Sequence, residues 1–99
     1  MSQLDSYSRR SHVRRIKNGL ISAISAVALH EEGNPEFSEY DEPARKTLAE
    51  LKDNNSVIHQ IMPKTLNAYQ DLVSKAVETY PKLEAADYIR QILSVISEH

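Results

Sequence analysis

The sequence predicts an all-α protein, a small antiparallel bundle of four main helices, and three observations carry that expectation. Apolar residues recur at spacings of three and four over most of the chain, which aligns them on one side of a helix. Only two residues are glycine, so few positions can take the left-handed turns that a sheet of tight hairpins requires. The 99 residues are 40% apolar and 26% charged, the balance of an ordinary globular domain rather than of a disordered chain. Residues 1–99 therefore read as a single helical domain.

Residues 1–10 predict a frayed N-terminal arm, polar at its start, with Ser8 and Ser11 available as caps. The first helix is predicted over residues 11–31, where Val13, Ile16, Leu20, Ala23, Ile24 and Val27 form one stripe. Its second half is rich in small side chains (Gly19, Ser22, Ala23, Ser25, Ala26, Ala28), which lets another helix backbone come close, while Ile21 and Leu29 widen the apolar surface. Gly33 suits a C-terminal cap and Pro35 cannot continue the ladder, so residues 32–42 are predicted to be an acidic loop. Asp41, Glu42 and Pro43 then read as a helix start, with carboxylates near free N–H groups and a proline in the first turn.

The second helix, residues 43–53, has only Ala44, Leu48 and Leu51 as a narrow apolar stripe. Ser56 offers the next cap, and an unbroken three-to-four spacing predicts a third helix over residues 56–80. Pro63 interrupts it, and because the phase survives across the proline a kink is preferred to a break, which would make five helices. The last helix, residues 81–98, is expected to bury Leu83, Ala86, Ile89, Ile92, Leu93 and Ile96. The predicted core comprises Val13, Ile16, Leu20, Ile24, Leu48, Leu51, Ile58, Met62, Leu66, Tyr69, Val73, Ile89, Leu93 and Ile96.

The net charge of −2 hides a lengthwise asymmetry. Arg9, Arg10, Arg14, Arg15 and Lys17 against Asp5 alone make residues 1–30 carry +4, which leaves −6 for the remainder. Glu31, Glu32, Glu36, Glu39, Asp41 and Glu42 place six carboxylates in twelve residues with no cation among them. Arg10, Arg14 and Lys17 share a helical face, so their fields add in one direction and could meet phosphates or an acidic protein surface. The plainer reading pairs this basic turn with residues 31–42, in the same molecule or a neighbouring one.

Catalytic and metal signatures are scarce. The chain has no cysteine, which removes disulfides, thiolate metal sites and cysteine nucleophiles and fits a reducing compartment. His12, His30, His59 and His99 are far apart. The sequence His30, Glu31, Glu32 opens like a zinc-protease motif, but Asn34 stands where the second histidine belongs. The acidic stretch lacks the alternating ligands and central glycine of a calcium loop, and no glycine-rich phosphate loop is present. A helix-turn-helix reading around Thr47 to Leu51 fails because the next helix meets Pro63 after two turns and residues 56–62 hold no Arg or Lys.

These features predict a non-enzymatic interaction protein, without cofactor or metal, that inhibits, neutralises or chaperones a macromolecular partner, most simply a protein. The candidate contacts are Arg9, Arg10, Arg14, Arg15 and Lys17 on the basic side and the six carboxylates of residues 31–42 on the acidic side. The alternative is a nucleic-acid-binding regulator using the same cations. A homo-oligomer is compatible with the complementary charges. The expected location is the cytoplasm. Residues 9–29 also have the outline of a secretory signal, a subordinate reading because Ser22 and Ser25 interrupt the apolar run and the basic part starts late. That run is about half the ~20 residues a membrane span needs.

Overall fold

A computed structural model describes residues 6–98, with side chains from residue 8 onward. Among the described residues the chain is all-α, with six helices and no strand: α1 Ser6–Glu32, α2 Phe37–Lys52, α3 Val57–Ile61, α4 Pro63–Ala68, α5 Gln70–Thr79 and α6 Ala85–Ser97. Of the predicted frayed arm, residues 1–5 lie outside the described residues, whereas residues 6–10 form the first turns of α1.

Helix α1 ends as its sequence demands. Gly33 takes φ 69°, and the N–H groups of Gly33 and Asn34 return to the carbonyls of His30 and Leu29 at 3.1 and 2.9 Å, closing a Schellman cap. The predicted acidic loop over residues 32–42 is shorter than expected, because α2 starts at Phe37 and takes Phe37–Glu42 with it. The working start signal is Asn34 with Pro35, not Asp41 with Pro43. Asn34 accepts the Glu36 N–H on its side chain at 2.9 Å and the Phe37 N–H on its carbonyl at 3.0 Å, and Pro35 sits in the turn where a missing N–H costs nothing. Pro43 is then inside α2. Pro43 is exposed, as is Glu39, whose carbonyl loses its helical donor to the proline.

The long third helix breaks rather than kinks. Met62 leaves the helical region at φ −137°, ψ 62°, ending α3 and placing Pro63 at the start of α4. A second departure at Tyr69, φ −114°, ψ 26°, separates α4 from α5. Each new helix opens on the residue that ends the one before, the Leu66 and Val73 N–H groups reaching the carbonyls of Met62 and Tyr69, both at 3.1 Å. Ser56 caps α3 as expected, accepting the His59 N–H at 3.4 Å. The last helix starts at Ala85 rather than residue 81, since residues 81–84 turn, with the Lys82 N–H on the Thr79 carbonyl at 2.7 Å. Leu83 is consequently 59% exposed instead of buried.

Helix α1 packs on α2 and α6, and α5 packs on the same two. Arg15 reaches Glu50, Gly19 faces Thr47 and His30 lies against Phe37, so α1 and α2 run antiparallel. Lys52 with Ser74 and Asp41 with Tyr80 set the same relation for α2 and α5. The molecule is elongated, 48 × 24 × 22 Å. Ile16, Leu20, Leu51, Ile58, Leu66, Ile89 and Ile96 are fully enclosed, while Val13, Ile24 and Leu93 pack on the core only partly buried. Tyr69, expected inside, is 42% exposed because the break at its own position turns it outward. Ala23, Ala26, Ala44, Ala76 and Ala85 join the core, filling close contacts between helices.

Candidate functional site

The basic residues are placed by the N-terminal three turns of α1, where Arg9, Arg10 and Arg14 are exposed and Lys17 is half-buried. Arg9, Arg10, Arg14 and Lys17 line one open groove with Val13, about 250 Å³ in volume. Arg9 also lines a second groove of about 300 Å³ with Ile61, Met62, Pro63, Lys64 and Thr65. The break between α3 and α4 therefore brings Lys64 to the same end as the predicted cations. Residues 9–17 span about 12 Å of helix axis, similar to the Debye length of ~8–10 Å in physiological salt, so an approaching anion meets these charges together.

Arg15 does not belong with the other four. It donates to both Glu50 oxygens, at 2.6 and 2.7 Å, and to His12 Nδ1 at 3.2 Å. These hydrogen bonds hold the Glu50 carboxyl below its ordinary range and raise the Arg15 guanidinium above its own, against a desolvation cost on both. Arg15 thus fastens α1 to α2. Arg9, Arg10, Arg14, Lys17 and Lys64 form no ion pair among the described residues.

The acidic residues occupy the other end. From Arg10 to Glu31 is 21 positions, about 32 Å along α1, so the pairing of basic turn and acidic stretch within one molecule does not occur. Glu31, Glu32, Glu36, Glu39 and Glu42 are exposed. Asp41 is not a free contact: its carboxylate accepts from Arg45 Nε at 2.9 and 3.0 Å and from the Tyr80 hydroxyl at 2.8 Å. The Arg45 guanidinium also stands 5.3 Å from the Tyr80 ring centre. Burial first, and the bond to Asp41 second, push the Tyr80 hydroxyl well above its ordinary pKa.

The histidines stand apart. His59 is buried and its Nε2–H donates to the Leu51 carbonyl at 2.7 Å, satisfying the C-terminal end of α2. His30 lies against Phe37, ring centres 5.2 Å apart. No three His, Asp or Glu side chains among the described residues are placed to hold a metal ion, and no described helix is long and apolar enough to cross a membrane. Residue patterns alone missed Lys64, whose approach to Arg9 depends on the break at Met62, and the Arg15–Glu50 pair, which spans 35 positions. Comparison with protein-family models, with curated proteins and with solved structures finds no match in any of the three.

Proposed function

We propose that this chain is a non-enzymatic, cytoplasmic interaction protein whose basic end binds an acidic surface of a macromolecular partner and thereby modulates it. The observation that carries this reading is the division among the cations. Arg15 is consumed by Glu50, whereas Arg9, Arg10, Arg14 and Lys17 stand together without a counter-ion among the described residues. Like charges held this close repel one another, and an anionic partner relieves that repulsion while gaining steering toward the site. The apolar floor from Val13 and Met62 adds contact area that a salt-screened charge cluster lacks. The non-enzymatic part of the reading is supported by what the histidines do: His59 closes a helix end, His12 accepts from Arg15 and His30 packs on Phe37. The cytoplasmic part rests on the absence of cysteine from the sequence.

A nucleic-acid regulator is the second reading, favoured by Lys64 continuing the row of cations past Arg9. Affinity capture with the intact protein beside an Arg10→Ala, Arg14→Ala, Lys17→Ala variant tests the first reading. Loss of the captured partner from the variant is the expected result, and an unchanged partner set refutes it. A salt-titrated binding assay with DNA and RNA tests the second, which fails if neither binds at low ionic strength.

A further inference from the structure

The outer face of α1 carries a pattern that the basic end alone does not explain. Arg10, Arg14, Lys17, Ile21, Ala28 and Glu32 fall within one narrow sector of the helix by its 3.6-residue period, and Ser25 borders it. Ile21 in its middle is 51% exposed, and Arg10, Arg14, Ala28 and Glu32 are exposed as well. Cations occupy the first half, a branched apolar side chain the centre, small residues the next turns and a carboxylate the end. Such a face is complementary to itself when turned end for end.

We propose that this face binds a second copy of the chain, α1 against α1 in antiparallel order, about a two-fold axis at Ile21. The numbering fits such a pair. With Ile21 opposite its own copy, Arg10 comes opposite Glu32, Arg14 opposite Ala28 and Lys17 opposite Ser25, each contact occurring twice as an isologous interface requires. The small partners of Arg14 and Lys17 leave room for the long side chains to lie flat. At the shallow crossing of about 20° common for packed helices, axes that touch at Ile21 diverge by about 6 Å at Arg10, within reach of an arginine and a glutamate. Burial of two Ile21 side chains at the centre supplies the apolar core, and the charged pairs at the rim set the register. The proposal rests on the reading of the Arg10 to Lys17 face as a contact surface, and it names the partner.

Charge reversal tests it. Sedimentation of the full chain from micromolar to millimolar concentration is expected to show a monomer–dimer equilibrium that weakens as salt rises. Arg10→Glu alone and Glu32→Arg alone each place like charges opposite each other twice, and each is expected to raise the dimer dissociation constant about tenfold. Mixing the two variants restores both opposite-charge contacts in the heterodimer, so the mixture is expected to dimerise at the parent's concentrations, about tenfold below those at which either variant alone does. Ile21→Glu puts two carboxylates on the axis and is expected to abolish the dimer. All three positions are exposed, and unchanged helical circular dichroism confirms that the fold is intact. A monomer at every concentration overturns the proposal, as does a dimer indifferent to these changes or a mixture with no recovery. If the chain stays monomeric while partner capture still depends on Arg10, Arg14 and Lys17, the dimer is removed and the proposed function stands.

Discussion

Replacing Gly19 by alanine is expected to destabilise the protein, against the ordinary preference of a helix interior. A Cβ at this position would overlap the Thr47 hydroxyl oxygen and lie 2.7 Å from Thr47 Cβ and 2.9 Å from its Cγ2. Rotation of the threonine side chain can relieve the hydroxyl, but Thr47 Cβ is fixed to the backbone of α2. The two helices must therefore part by about 0.8 Å to reach an ordinary carbon–carbon contact of ~3.5 Å. Thr47 is only 7% exposed and lies among Arg15, Asn18, Gly19 and Ser22 of α1, so the shift propagates along the interface. With a contact this short the overpacking cost is taken at the top of its usual range, about 3 kcal/mol, and the alanine recovers about 1 kcal/mol through helix propensity, leaving a net loss of about 2 kcal/mol. For a chain of this length that lowers Tm by roughly 10 °C. Thermal and urea denaturation followed by circular dichroism measure it. Thr47→Ala removes the hydroxyl and methyl but keeps Cβ, so the double variant should lose about 1 kcal/mol less than the sum of the single ones. A Gly19→Ala protein as stable as the parent, or strictly additive behaviour, refutes the close approach.

Three further outcomes follow from the buried and half-buried polar contacts. The Glu50 carboxyl titrates below its unfolded value, so the stability it lends is present above about pH 4.5 and is lost as pH falls below it; acid denaturation of Glu50→Gln should show that portion of the pH dependence missing. His59→Leu leaves the Leu51 carbonyl buried without its donor and should cost about 2 kcal/mol in urea denaturation. Tyr80→Phe removes the hydroxyl donated to Asp41 and should cost about 1–2 kcal/mol at neutral pH. Because the folded Tyr80 ionises well above the unfolded residue, its contribution is full below about pH 10 and is lost above it, so parent and Tyr80→Phe should converge in alkaline denaturation.

What the sequence made legible were the features with local causes. The stripe from Ile16 to Val27 and the cap at Gly33 need only their own neighbours, and both stand where periodicity and glycine chemistry put them. Pro43 misled because a proline near carboxylates resembles a first turn, whereas it sits inside α2 on the exposed face that it shares with Glu39. The surviving phase across Pro63 concealed two departures from helix, since the three-to-four spacing records which side chains face inward and not whether the backbone is continuous between them. The small residues of α1 announced a close approach but could not name Thr47 as its target. In the candidate site, the shared face of Arg10, Arg14 and Lys17 was legible from spacing, whereas the removal of Arg15 by Glu50 and the arrival of Lys64 depend on tertiary packing.

The stretch between α2 and α5 consists of pieces of five and six residues, well under the ~12 at which an isolated helix holds in water. The Ser56 cap and the His59 bond to the Leu51 carbonyl anchor α3, and Ile58, Ile61 and Leu66 hold the two pieces by burial. Amide exchange should accordingly be fastest through these two pieces and slowest at the centre of α1. Lys64 is carried on one of them, so the side of the Arg9 groove that it lines is expected to open before the rest of the molecule unfolds.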